Sequence, residues 1–220
     1  MSMISPEIYY EEYLKDKSEK EILSAIRGLK NEMGHLKNVM EDPDYQSMMC
    51  PSELTKFKCT RAYFERAKQA LSDVGGEYKL SKPEISAQEF QENLDSVTKI
   101  VLEIGGFFQD NTIYKAEINE DVVNISKESL FMISPPAMDT DDEEEPYSKQ
   151  EFLELFADLH IGEWRKHYST ERFGISVLDG TQWSLDIYYN NGKKASYDGS
   201  NSYPYNFCDL KELFGLYEMI

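Results

Sequence analysis

The sequence predicts an α+β protein: a helical bundle over residues 1–106, then an antiparallel sheet with flanking helices over residues 107–220. Three observations predict it. Apolar residues recur at helical spacing behind capping signals through the first half. The period drops toward two in the second half. Within Asp179–Phe207, Trp183, Leu185, Ile187 and Tyr189 alternate with polar neighbours and run into Asn191-Gly192. Asn-Gly supplies the positive φ angles of a type I′ turn, so a hairpin is expected there.

The elements follow in order. Ser5-Pro6-Glu7 starts a short helix: a capping hydroxyl, a proline in the first turn, and an acid near the positive end of the dipole. Ser18 to Glu21 is a capping box opening a second helix. Its Ile22, Ile26, Leu29, Met33, Leu36 and Met40 form a heptad seam, and Pro43 stops it. A polar linker with a Met48-Met49 tip follows. Pro51 starts a third helix, with Phe57, Phe64 and Leu71 every seven residues and Gly75-Gly76 at its end. These two helices pack most simply as an antiparallel hairpin. Ser86 to Glu89 is another capping box, and Phe90, Leu94, Val97, Val101 and Ile104 predict a further bundle helix up to Gly105-Gly106.

Beyond residue 106, Thr112–Ile118 and Asp121–Ser126 predict a strand pair around Asn119-Glu120. Residues 134–147 form a loop with three prolines and six acids among the seven residues from Asp139 to Glu145. Such a block repels itself and is expected to be solvated and mobile. Ser148 to Glu151 caps a helix carrying Phe152, Leu155, Phe156 and Leu159. Trp164–Tyr168, Phe173–Leu178, Gln182–Tyr189 and Lys193–Asp198 are expected as four successive antiparallel strands, with Asp179-Gly180 joining the middle pair. Asn206 is expected to cap a last helix.

The net charge is −18. Residues 1–110 carry 14 Lys and Arg against 20 Asp and Glu, and residues 111–220 carry 9 against 21, so the halves hold −6 and −12. Such a surface repels nucleic acid and anionic membrane and favours a basic partner. Cys50, Cys59 and Cys208 are too few and scattered for a disulfide framework. No secretory signal or membrane span is evident, so a cytoplasmic protein is expected.

No catalytic set stands out. His35, His160 and His167 show no metal-ligand spacing. Gly-rich phosphate loops are absent, and the acidic run lacks the glycine of a calcium loop. No metal or cofactor is expected. The third helix is basic, with Lys56, Lys58, Arg61, Arg66 and Lys68, and is expected either to pair within the molecule or to dock an acidic partner. The loop Asp198–Phe207 combines tyrosine with Gly, Ser and Asn, a composition suited to recognition.

Asp179-Gly180, Trp183-x-Leu185-x-Ile187, Gly192-Lys193 and Gly199-x-Asn201-x-Tyr203-Pro204 make a pattern that resembles the C-terminus of uncharacterised bacterial proteins. The stretch Glu7–Leu14, followed by Ile26-Arg27-x-Leu29-Lys30, is similar to hypothetical proteins of the same kind. The resemblance implies a bacterial or mobile-element origin and no catalytic role.

The leading expectation is a non-enzymatic interaction protein that meets a basic protein partner. Tyr197, Asn201, Tyr203 and Tyr205, with Asp186 and Asp198, are the expected binding residues. A sharper version is an inhibitor that occupies a basic nucleic-acid groove of its partner, as anti-restriction and anti-CRISPR proteins do. One alternative is a small hydrolase or transferase using His160, Cys208 or carboxylates. Another is a passive homodimer built on the heptad seam.

Overall fold

A computed structural model describes residues 4–46, 50–106, 109–129, 147–177 and 179–216. The Met48-Met49 tip and nearly all of the acidic loop 134–147 lie outside the described residues. The chain divides into two compact units, Met1–Ser81 and Lys82–Ile220.

The first unit is helical. Helix α1 spans Pro6–Tyr9, with the Ser5 hydroxyl accepting from the Ile8 amide, and continues as a π-helical turn over Tyr10–Leu14. Helix α2 spans Glu19–Met40 behind the complete Ser18–Glu21 capping box. Helix α3 spans Glu53–Asp73, and its cap is Ser52, one residue beyond the expected Pro51. The seam of α2 is covered within the unit: Ile22, Ile26 and Leu29 are buried with Tyr9, Leu14, Tyr63, Phe64, Ala67 and Leu71. Burial of each large apolar side chain contributes roughly 1.5–3 kcal/mol. The basic residues of α3 lie over rings of the same unit. Arg66 sits 3.8 Å from the Tyr10 ring centroid, Arg61 5.1 Å from that of Phe57, and Lys68 5.1 Å from that of Phe64. Acidic neighbours on the same helix meet two of them, Lys68 with Glu65 at 2.6 Å and Arg66 with Asp73 at 3.9 Å.

The second unit contains the sheet. Helix α4 covers Lys82–Glu92 and then stops. The segment expected to prolong it is instead strand β1, Val97–Gly106. Periodicity misleads here because Val97, Ile100, Leu102 and Ile104 fit either element, while the β-branched run from Val97 to Ile104 favours the strand. Phe90, Leu94 and Val97 therefore belong to the core of the second unit, not to a shared helical core. The unit boundary lies after Ser81 rather than after residue 106.

Strands β2 (Gln109–Ile118), β3 (Val122–Ser129), β4 (Tyr147–Ser148), β5 (His167–Ser169), β6 (Thr181–Tyr189) and β7 (Lys194–Ser200) complete it. Among the described residues these make one seven-stranded sheet in the order β4-β3-β2-β1-β6-β7-β5. All pairings are antiparallel except β5 with β7. The expected strand Phe173–Leu178 does not form: Thr170–Phe173 is a 3-10 turn, Gly174–Val177 is irregular, and Val177 is exposed. The run of four antiparallel strands thus reduces to the β6–β7 hairpin plus a short parallel edge. The hairpin turn also differs from type I′. Gly192 has φ +79° but Asn191 does not take a positive φ. The Gly192 amide donates to Tyr189 O, and the Tyr189 amide to Lys193 O, as in a three-residue loop with one left-handed glycine.

Helices α4, α5 (Lys149–Asp158) and α6 (Phe207–Leu213) lie with the core face of this sheet. Ile100, Leu102, Tyr114, Ala116, Val123, Leu185, Ile187 and Tyr197 point into one core with Phe90, Phe152, Phe156 and Leu210. Trp183 is 3% exposed at its centre. Its ring meets Trp164 edge-on at 6.3 Å and Phe207 at 4.8 Å. Asn206 does not cap α6 through its side chain; it is buried, accepts from Trp164 Nε1 at 3.1 Å and donates to Leu159 O at 2.8 Å. Among the described residues, no helix is long and apolar enough to cross a membrane.

Trp183→Ala removes a fully packed indole and is expected to lower stability by about 3–5 kcal/mol. Urea unfolding followed by far-ultraviolet circular dichroism measures it. An unchanged midpoint would mean that the ring contributes no core packing.

Candidate functional site

The second face of the sheet has a different character. On the opposite register from the core lie Lys99, Val101 and Glu103 of β1, Ile113, Lys115 and Glu117 of β2, and Gln182, Ser184, Asp186 and Tyr188 of β6. Lys194, Ser196, Asp198 and Ser200 of β7 continue it. None of these residues is buried. Strand alternation alone produces this, because every second side chain points away from the helices.

The charges on this face are partitioned. Toward the β6–β7 turn, acids and bases are matched. Asp186 accepts from Lys194 Nζ at 3.0 Å and Ser196 Oγ at 2.7 Å. Lys99 lies 4.5 Å from the centre of the Tyr188 ring, and across the sheet on β2 and β3 Lys115 pairs with Glu128 at 2.6 Å. Burial alone would raise the Asp186 carboxyl. The hydrogen bonds from Ser196 and Lys194 outweigh it, and the net value lies below the usual aspartate range.

Toward the other end the acids collect in an open cleft of about 530 Å³. One row crosses it: Glu103 on β1 pairs with Ser184 on β6, Ser184 with Asp198 on β7, and Asp198 with His167 on β5. The His167 imidazole Nδ1 contacts the Asp198 carboxylate directly. Neighbouring strands lie about 4.8 Å apart, so the row sets two carboxylates about 10 Å apart with a hydroxyl between them. Asp179 joins them in the lining, which among the described residues holds no Lys or Arg.

Glycine shapes the walls. Gly180 has φ +145°, and a Cβ there would fall 1.9 Å from Asn201 Oδ1. A Cβ on Gly105 would fall 1.7 Å from Asn111 Oδ1. The two asparagine amides therefore lie directly against backbone. Asn111 donates to Glu103 at 3.4 Å. Asn201, itself left-handed at φ +50°, accepts from the Thr181 amide at 2.8 Å and donates to Asp179 O at 3.4 Å.

The expected binding residues divide accordingly. Asp198 and Asn201 line the cleft. Asp186 lies on the same face, held by Lys194 and Ser196. Tyr197 is not a surface residue: it pairs with Leu185 on the core side and is 3% exposed. Alternation along β7 causes this, since a residue beside Asp198 must face the other way. Tyr203 is half-buried and stacks on Trp183 at 6.5 Å and 20°, and Tyr205 is half-buried as well. The tyrosine-rich stretch is therefore largely packing over the hairpin. Cys208 is exposed on α6, and His160 precedes the 3-10 turn Ile161–Glu163 in a left-handed conformation. Neither lines the cleft. Among the described residues, no group of three or more His, Cys, Asp or Glu is placed to hold a metal ion.

Glu103, His167 and Ser184 were not legible as partners in sequence. They lie on three separated segments, and only the pairing β1–β6–β7–β5 brings them into one row. Chemically, the row offers carboxylate acceptors, a hydroxyl, and an imidazole oriented by a carboxylate.

The folded value of Asp186 lies below the unfolded one. Its stabilisation is thus present above the ordinary aspartate value of about 3.9 and is lost as pH falls through the lowered folded value. Asp186→Asn is expected to flatten the acid limb of the stability profile, read as urea midpoints between pH 2 and 6. An acid limb as steep as before would place that pH dependence on other carboxylates. Comparison with protein-family models, curated proteins and solved structures finds no match to this chain.

Proposed function

We propose that this chain is a non-enzymatic binding protein that receives basic side chains of a protein partner in the cleft on the open sheet face. One observation carries this reading: among the described residues, three carboxylates and no Lys or Arg line a cleft on a sheet face that the helices leave open. Elsewhere on that face the acids have basic neighbours, so the surplus is local and not only a property of the whole chain. A guanidinium or ammonium group entering the row meets acceptors from Glu103, Ser184 and Asp198. The charge of −18 steers a cationic partner toward it.

The reading has a sharper form. Carboxylates displayed on a rigid sheet can stand in for phosphates, so the partner would be a protein whose own basic groove binds nucleic acid. The site is then the acidic row, and the tyrosines serve as its packing.

The test uses an arginine-rich peptide as the probe, with binding kinetics measured at about 50 and 150 mM salt. Association is expected to slow as salt rises. The double variant Glu103→Gln/Asp198→Asn is expected to weaken binding three- to tenfold, about what two exposed ion pairs supply. Glu7→Gln/Glu12→Gln removes the same formal charge from exposed positions of the first unit and is expected to change affinity much less. Equal losses in both variants would sink the cleft and leave only nonspecific attraction.

A further inference from the structure

We propose that a second cavity, on the helix-covered side of the sheet beside the β6–β7 turn, is a binding site for a small oxyanion, a carboxylate or phosphate group held by Lys166, Lys193 and the hydroxyl of Tyr197. The cavity measures about 210 Å³ and lies between α4, the turn at Gly162 and the end of the hairpin. It is separate from the acidic cleft and shares no lining residue with it.

Its composition is anomalous for this chain. Two lysines and one acid, Glu89, line it in a protein with 41 acids and 23 bases. Neither lysine has a carboxylate partner among the described residues. Lys166 Nζ instead lies 3.8 Å from the centre of the Tyr197 ring. Lys166 is exposed along its length, yet the protein around its ammonium group disfavours the charged form and lowers its pKa. An anion in the cavity would offset that cost.

Tyr197 supplies an independent observation. It is 97% buried, it lines the cavity, and its hydroxyl has no hydrogen-bond partner among the described residues. Burial, then the neighbouring Tyr189, push this phenol far above its ordinary value, so it remains an O–H donor. A phenol donor and two ammonium groups lining one cavity suit an acceptor that carries negative charge.

One wall of the cavity is set by a close backbone approach. A Cβ on Gly162 would fall 2.8 Å from Phe90 Cβ and 2.9 Å from Ala87 Cα. Glycine there lets the turn close onto α4. The hairpin contributes Lys193 at a tip whose shape Gly192 fixes at φ +79°.

An NMR titration with inorganic phosphate and with acetate, at constant ionic strength in sodium chloride, tests this. Saturating shifts at Lys166, Lys193 and Tyr197 are expected with at least one of them, at a dissociation constant on the order of 1 mM. Phosphate alone saturating assigns phosphoryl ligands, and acetate alone assigns carboxylates. Tyr197→Phe keeps the packed ring and removes only the donor; Lys166→Met keeps the stem and removes the charge. Each is expected to weaken the anion about tenfold. Shifts that never saturate with either anion overturn the proposal. So does an affinity in both variants unchanged from that of the parent protein, which would identify diffuse surface attraction.

Discussion

The seat of Trp183 over Gly199 is the constraint on which the second unit depends. A Cβ at residue 199 would fall 2.4 Å from Trp183 Nε1, so only glycine admits the indole. The indole then donates to Ser202 O at 2.9 Å and ties the exit of β7 to β6. Trp164 packs edge-on against it, and Trp164 in turn donates to Asn206. Asn206 reaches on to Leu159 O. The end of α5, the Trp164 turn and the start of α6 are thereby joined through one buried amide. Each such bond contributes only about 1 kcal/mol net, yet leaving a buried donor unpaired costs more, which makes the arrangement specific.

From that core follows the asymmetry of the sheet. The helices satisfy one face, and the other must be polar to remain in water. Polar does not mean balanced, however. Lys194 and Lys99 sit with Asp186 and Tyr188 near the β6–β7 turn, and Lys115 with Glu128 on β2 and β3. Glu103, Asp179 and Asp198 share the cleft with His167. Attraction between neighbours explains the first set as ordinary surface packing. It offers no such account of the second, where among the described residues three carboxylates gather with one imidazole and no Lys or Arg, and that contrast motivates a cationic ligand.

Much of the fold was legible because its signals are local. Ser18–Glu21 is a capping box in sequence and in space. The α2 seam, the β2–β3 pair and the β6–β7 hairpin were likewise marked by periodicity and turn residues. The failures are those that tertiary context decides. Val97–Ile104 suits a helix or a strand by spacing, and pairing with β2 and β6 settles it. Phe173–Val177 alternates, but without a partner strand it stays irregular. For the site, Asp186, Asp198 and Asn201 were named and do lie on the open face. Tyr197 was assigned outward from composition, whereas its register with Leu185 turns it inward. Glu103 and His167 carried no signal, since nothing local marks residues that meet only through strand order.

The acidic row and the core are two outputs of one register. Strand side chains alternate with a period of two, so a one-residue slip of β6 would send Trp183 and Leu185 to the open face and Ser184 and Asp186 into the core. Burying Asp186 without its Lys194 and Ser196 partners would cost several kcal/mol, and exposing the indole would forfeit its packing. Both penalties oppose the same slip. The register that places Ser184 between Glu103 and Asp198 is therefore fixed largely by packing on the core face. An open site on a sheet can in this way be rigid without a covering element, because the opposite face supplies the rigidity.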